Sequence, residues 1–496
     1  MRLISISVLA NKMISLKKNF VYSLAYQLLI IILPLITTPY ISRVLGADGI
    51  GQFSYTQSVA TYFSLMAMLG ISQHGNRSIS EYGANVKKRS SLFWNIYSIQ
   101  LLTHLVAIAV YILYTFYYNN TILSWLQLIT ILSSLCDISW FYFGIEHFDI
   151  TVGRNTIIKI ITVILTFTFV KNPSDLWKYT LILILGSLLS QMYLWFFLPK
   201  YIFKEKIDIA LLMDQVKPIL TLFIPVLAYS IYKIMDKIML GTMSSYTQVG
   251  LYENAYKINN IPIGFITAIG NVMLPRMTAL VSNGQNLLAK HYIEISFAII
   301  NMLSCAMVFG IGGISNNFAV VYYGNEFAAC GSLITCLNWT VFFIAWANIM
   351  RTQYLIPNKK DNIYVISTIS GAIINLIINL ILIPQFHALG AAIGTFMAEF
   401  TVMLIQLCCI KSELTILQYI VKSWRYFVSG FFMMIILKFI EYYLKMGIKT
   451  LIIQIITGTI LYLILTFYTS YRKKDEIWNF IICPLSNKFR NKKDEL

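Results

Sequence analysis

Fourteen apolar stretches recur along a chain of 496 residues, and they constrain the fold more than any other feature. They run approximately over 20–40, 50–71, 92–116, 122–143, 155–171, 177–198, 218–242, 251–275, 293–322, 328–350, 364–384, 388–410, 424–443 and 449–470. A helix needs about 20 apolar residues to cross the hydrocarbon core of a bilayer, so each stretch reads as a candidate span. Alternating polar and apolar residues over strand-length segments are absent, which argues against a barrel. Helices are the other way to satisfy the backbone in lipid. Composition agrees: 58% of residues are hydrophobic and 12% charged. A soluble chain of this length needs a polar shell around two or three cores, and so little charge cannot cover it. A soluble enzyme is excluded, and so is a disordered chain, because no long polar tract appears. The expected fold class is an all-α polytopic membrane protein with about fourteen transmembrane helices.

Charge in the loops tests the count. With the N-terminus on the inside, the inner segments hold 28 Lys and Arg and the outer segments hold five: Arg43, Lys171, Lys178, Lys445 and Lys449. That asymmetry is what the positive-inside rule requires, and one missed or invented span would swap every later loop. Both termini are therefore expected in the cytoplasm. The net charge of +17 is explained by topology, so nucleic-acid binding is not needed. The outer loops are short, so the chemistry is expected inside the bilayer.

The seven cysteines form no CxxC, and no Cys/His pattern has ligand spacing, so neither a disulfide framework nor a metal site is expected. Residues 1–12 carry a weak signal-peptide pattern and read as an upstream extension ahead of Met13. The last four residues, Lys493 to Leu496, spell a retention signal that is read from the luminal side. On this topology the match is a coincidence.

The two halves resemble each other. Leu45-Gly46 aligns with Leu240-Gly241, and Gly51-Gln52-Phe53 with Gly250-Leu251-Tyr252. The segment from Trp140 to Asn155 matches Trp346 to Asn362, and Gly186 falls opposite Gly394. Each repeat holds six spans, an even number, which implies a pseudo-two-fold axis along the membrane normal and a site between two lobes. The expected organisation is a cytoplasmic segment at 1–19, an N-lobe at 20–200, a C-lobe at 217–411, two extra helices at 424–471 and a basic cytoplasmic tail at 472–496. Pro34 and Pro39 in the first span correspond to Pro218 and Pro225 in the seventh. Proline removes a backbone donor and bends a helix, so these four are candidate hinges.

Ionisable groups inside spans are costly and usually face water or a partner. Lys233, Asp236 and Lys237 share one face of span 7 at spacings of three and four. Glu253 and Lys257 form an i,i+4 pair in span 8. Lys159 lies in span 5, Arg43 at the outer end of span 1, Asp137 in span 4 and Glu399 in span 12. The surplus of cations suits an anion, since ammonium and guanidinium groups bind phosphate. Candidate phosphate-binding residues are thus Arg43, Lys159, Lys233, Lys237 and Lys257. Asp137, Asp236, Glu253 and Glu399 are candidates to bind a coupling H+ or Na+, or to hold the lysines in place. Each has a plainer reading: Arg43 as an interfacial anchor, Lys159 and Lys438 as snorkelling residues, Glu253–Lys257 as a self-satisfied pair. The aromatic clusters Tyr114–Tyr118 and Trp140–Phe143 fit an interfacial belt, with stacking against sugars as the alternative.

The run from Leu33-Pro34-Leu35 through Thr37-Thr38-Pro39-Tyr40-Ile41-Ser42-Arg43-Val44-Leu45-Gly46, followed by Gly49-Ile50-Gly51 and Tyr55, resembles the start of Wzx-type polysaccharide flippases. So do Leu69-Gly70-Ile71 with Gly75-Asn76-Arg77, and Asp137-Ile138-Ser139-Trp140 leading to Gly144-Ile145-Glu146. That family belongs to the multidrug/oligosaccharidyl-lipid/polysaccharide exporter superfamily. The resemblance implies a bacterial inner-membrane protein, not an enzyme, that carries an undecaprenyl-pyrophosphate-linked oligosaccharide (an O-antigen or capsule repeat unit) to the periplasmic or outer leaflet by alternating access. It also implies a cation-lined cavity with Arg43 in its basic set, and no cofactor beyond a coupling ion. The implied partners are the lipid-linked oligosaccharide, membrane lipids and the polysaccharide polymerase or chain-length machinery. A lipid II flippase or a multidrug antiporter of the same superfamily is the alternative. A membrane polymerase would need a sizeable outer loop, and none is present.

Overall fold

The computed structural model describes the backbone of residues 2–82, 85–118 and 121–473, with side chains from Ile32 onward at all but a few positions. The basic tail beyond Lys473, with Cys483 and the last four residues, lies outside the described residues. Among the described residues the structure is helical and contains no strand. All fourteen apolar stretches lie in helices. Among the described residues, ten helical segments are long and apolar enough to cross a membrane by length and composition; the other four stretches lie in α1, α6 and α8. The protein is a multi-pass membrane protein.

The chain divides into two compact units between Gly241 and Thr242. The first opens with α1 (Arg2–Met68), which carries spans 1 and 2. They are not separated by a loop. A single residue, Gly46, leaves helical geometry at φ 70° and ψ 177°, a conformation that glycine adopts without a Cβ clash. The break therefore falls at Gly46 and not at Pro34 or Pro39, which stay inside the helix. Next come α2 (Ile71–Tyr82), α3 (Val86–Tyr118), α4 (Ile122–Leu135), α5 (Ser139–Gly144), α6 (Phe148–Phe169), α7 (Leu176–Phe197) and α8 (Ile209–Met243).

Helix α3 displays the logic of a lipid solvent. Asn95, Gln100, His104 and Thr115 are buried, while Leu102, Leu105, Val106, Leu113 and Phe116 are exposed. Helix–helix association in lipid relies on packing and polar contacts, so polar side chains turn inward and apolar ones outward. Span 4 is interrupted at Cys136–Ile138, between α4 and α5. Bare backbone at membrane depth is tolerated only when other groups satisfy it. Gln100 does so: its Nε2 donates to the carbonyls of Ser134, Leu135 and Asp137 at 3.3, 3.0 and 3.0 Å. The fifth span starts seven residues earlier than the apolar stretch suggests, at Phe148.

Helix α8 belongs to the first unit up to Gly241, whereas the sequence reading opens its second lobe at residue 217. Its anchors explain this. Gln215 Oε1 lies 2.8 Å from His74 Nε2, and Gly70 lies against Ile219 and Leu222. The preceding linker is tied to α3 through Trp94 Nε1 to Phe203 O at 2.9 Å and Asp208 N to Asn95 Oδ1 at 3.0 Å.

The second unit holds α9 (Tyr246–Ser282), α10 (Asn286–Tyr323), α11 (Cys330–Asn338), α12 (Thr340–Ile349), α13 (Asp361–Phe386), α14 (Ala388–Ile410), α15 (Ile416–Lys422), α16 (Trp424–Tyr443) and α17 (Ile448–Lys473). A π-helical turn, Met350–Leu355, continues α12. Its core runs from Ile266 and Phe297 through Phe342 and Tyr354 to Met433 and Tyr462. Thus α16 and α17, which lie outside the repeat, pack into the core of this unit.

The segments aligned between the two halves make similar contacts inside each unit. In the first, Trp140 Nε1 donates to Gln100 Oε1 on α3 at 3.2 Å; in the second, Trp346 Nε1 donates to Asn301 Oδ1 on α10 at 2.6 Å. Gly186 on α7 packs against Thr162 of α6, and Gly394 on α14 against Asn379 of α13. In both hairpins the absent Cβ lets two helices approach closely.

Candidate functional site

In the first unit three of the predicted charged residues lie together on one helix and the others lie apart. Lys233, Asp236 and Lys237 lie together on α8, with Asp236 only 2% exposed and both lysines half-buried. The Tyr62 hydroxyl, on the second half of α1, lies near Ser230 and the Asp236 carboxylate. A buried carboxylate between two amines one turn apart offsets one positive charge and leaves the stripe cationic. Arg43 is exposed on α1, three residues ahead of the Gly46 break. Lys159 is half-buried on α6.

Asp137 sits elsewhere. Its Oδ1 accepts the Ser139 backbone N–H at 2.9 Å and the Ser139 hydroxyl, which holds the turn between α4 and α5. The Ser139 hydroxyl also accepts from Arg154 Nη2 at 3.3 Å, and Arg154 Nη1 donates to the carbonyl of Ser190. The Ser190 hydroxyl in turn donates to Asn155 Oδ1 at 2.7 Å. Arg154 is 5% exposed, and sequence reasoning missed it by counting it as a loop charge. The signal was the shortness of the fifth apolar stretch: extending it toward the N-terminus puts Arg154 inside the helix.

In the second unit Lys257 Nζ and Glu253 Oε1 lie 3.7 Å apart, so the expected pair forms. Glu399 is 4% exposed on α14. One turn before it, Thr395 Oγ1 lies 2.9 Å from the Tyr252 hydroxyl. Asn375 and Asn379, on the facing helix α13, are fully buried, with Asn379 Nδ2 donating to Asn375 Oδ1 at 3.3 Å. The α13–α14 hairpin thus buries a carboxylate and a hydroxyl on α14 and two amides on α13, oxygen chemistry that suits a proton or a hard cation. Sequence reasoning found Glu399 and missed the amides, although Asn375 and Asn379 are an i,i+4 pair in an apolar span. No group of three or more His, Cys, Asp and Glu capable of holding a metal occurs among the described residues. Of the candidate hinges, Pro34 and Pro39 lie within α1, and Pro218 and Pro225 within α8.

The family model for the polysaccharide biosynthesis proteins matches residues 16–281, more than half of the chain and all of α2 through α8. The chain belongs to the polysaccharide biosynthesis protein family. The model for the lipid II flippase MurJ matches as well, over residues 154–479. A protein of Shigella dysenteriae described as "Putative O-antigen transporter" is 23% identical over 384 residues, covering 76% of this chain and 96% of that protein. A protein of Escherichia coli K12 with the same description is 22% identical over 422 residues, covering 81% and 98%. Among solved structures, the lipid II flippase MurJ in its inward closed conformation superposes with a TM-score of 0.73 at 15% identity, over 92% of this chain and all of that one. That likeness establishes a shared fold. The resemblance read from the Leu33–Gly46 motif is borne out by these family models, and the relatives are named for transport and not for catalysis.

Proposed function

We propose that this polysaccharide biosynthesis protein flips an undecaprenyl-pyrophosphate-linked oligosaccharide, an O-antigen or capsule repeat unit, from the cytoplasmic to the outer leaflet of a bacterial inner membrane. The observation that carries the reading is the cationic stripe of α8, Lys233 and Lys237 around buried Asp236, in a chain whose relatives are described as O-antigen transporters. A pyrophosphate and its sugars must pass about 30 Å of hydrocarbon. Ammonium groups at bilayer depth replace the water lost around the phosphates, and Arg43, Lys159 and Lys257 supply further positive charge along the path. The prenyl tail stays in lipid while the headgroup crosses. Alternating access exposes the stripe to one side and then the other, and both termini stay cytoplasmic.

Coupling is to H+ or Na+. Asp236 and Glu399 are the acids we assign to it, because a buried carboxylate changes charge on binding either ion; Glu253 pairs Lys257, and Asp137 holds its turn. Besides the break at Gly46, Pro34, Pro39, Pro218 and Pro225 serve as hinges where α1 and α8 bend during the cycle. The polymerase and chain-length machinery receive the product.

The test is translocation of a pyrophosphate-linked glycolipid in proteoliposomes. Lys233→Ala with Lys237→Ala should slow flipping by about 10- to 100-fold while leaving membrane insertion intact, as expected when charge-assisted contacts are lost. Wild-type rates in the double variant would remove the stripe from the mechanism. The match to the MurJ model favours a second reading, lipid II as substrate. Faster transport of a peptide-bearing lipid II than of a peptide-free oligosaccharide in the same assay would select it.

A further inference from the structure

We propose that the second unit carries a binding site for an anionic glycerophospholipid, separate from the transport stripe, where α10, α15, α16 and α17 meet. A cavity of about 490 Å³ opens there. Its walls include Lys422, Arg425 and Lys473, against a single acid, Glu294, and its floor includes Tyr419 and Tyr426. Lys422 is ion-paired with Glu294, which still leaves the lining cationic. Arg425 is held in position rather than left to swing: its Nη1 donates to Thr469 O on α17 at 3.3 Å and its Nη2 to Lys422 O at 3.5 Å. The cavity also adjoins the first turn of α16, whose N-terminal amides add partial positive charge. A volume of this size accommodates a phosphodiester headgroup.

The surroundings select a lipid over a soluble anion. Trp424, 58% exposed, stands at the mouth, a side chain favoured at the headgroup level. From it an exposed apolar stripe runs down α16 through Val428, Phe431, Phe432, Ile435 and Phe439 at helical spacing. A phosphate in the cavity would therefore have acyl chains lying along α16. Basic pockets between transmembrane helices on the cytoplasmic side are recognised anionic-headgroup sites, and the loop charges put this end of the unit in the cytoplasm. The stripe of α8 is in the other unit, so this site and the flipping reaction stand or fall separately.

The experiment is native mass spectrometry of the full chain released from nanodiscs, comparing retention of phosphatidylglycerol with phosphatidylcholine of the same acyl chains. Wild-type protein should retain phosphatidylglycerol preferentially. Each cation near an anionic headgroup contributes about fivefold in affinity, so Lys422→Gln with Arg425→Gln should weaken retention by about 25-fold. Lys473→Gln alone, which leaves the Arg425–Thr469 contact in place, should weaken it by about fivefold and guards against misfolding of the double variant. Equal retention of both lipids by the wild type, or an undiminished preference in both variants, overturns the proposal. Displacement of phosphatidylglycerol by inorganic phosphate would also overturn it, by making the cavity a soluble-anion site.

Discussion

Arg154 is a costly charge inside a span, and the fold holds its two terminal guanidinium nitrogens against Ser190 and Ser139. Arg154→Ala should lower stability by about 2–3 kcal/mol, the range for hydrogen bonds to a charged group, read as a fall in melting temperature of the detergent-purified protein. Arg154→Lys should recover part of it, since one ammonium can still reach the Ser190 carbonyl. Asp175, in the loop before α7, is the second informative residue. Lys178 Nζ lies 2.6 Å from its Oδ1, and the backbone N–H groups of Lys171 and Asn172 donate to Oδ2 at 2.9 and 3.1 Å. Lys178 first, then these amides, bring its pKa down to about 2. The folded pKa is below the unfolded one, so the stabilisation is present above the ordinary carboxylate pKa of about 4 and disappears as pH falls through 2. The wild type should therefore melt above Asp175→Asn at neutral pH, with the gap closing between about pH 4 and pH 2. A gap independent of pH would mean that the carboxylate charge is not what stabilises the turn.

At the scale of elements, the α13–α14 hairpin depends on two helices touching at Gly394, where an added Cβ would sit 2.0 Å from Asn379 Oδ1. Gly394→Ala should destabilise by about 1–3 kcal/mol, the cost of overpacking. Combining it with Asn379→Ala should recover part of that loss, because the clash is with the amide; strict additivity of the two melting-temperature shifts would show that it is not. The elements also separate what was legible from what was not. The fourteen helical stretches could be read from local apolar length. The fusion of spans 1 and 2 through Gly46 could not, because a chain reversal and a sharp break use the same residues. Nor could the interruption at Cys136–Ile138, since the donor that makes it tolerable, Gln100, lies on another helix.

At the scale of the whole molecule, the loop charges demand that odd and even loops lie on opposite sides. In a cysteine-free background, Gly284→Cys between α9 and α10 should react with an impermeant thiol reagent only from the inside. Gly447→Cys between α16 and α17 should react only from the outside. Labelling of both from one side would remove the topology and, with it, the cytoplasmic placement of the basic cavity.

By itself the amino-acid sequence determined the class of solvent, the helices and the family. Each of these rests on the length, spacing or sign of neighbouring residues, and lipid forces a local solution by requiring every backbone bond to close within its own helix. Only the tertiary structure decided that α8 packs with the first unit, that Asp137 holds a turn, and that Arg154, Glu399, Asn375 and Asn379 are buried. Those facts depend on which distant helix supplies a partner. In a bilayer an apolar surface meets lipid as readily as protein, so apolarity alone does not choose among neighbours, and polar contacts and close approaches between helices do.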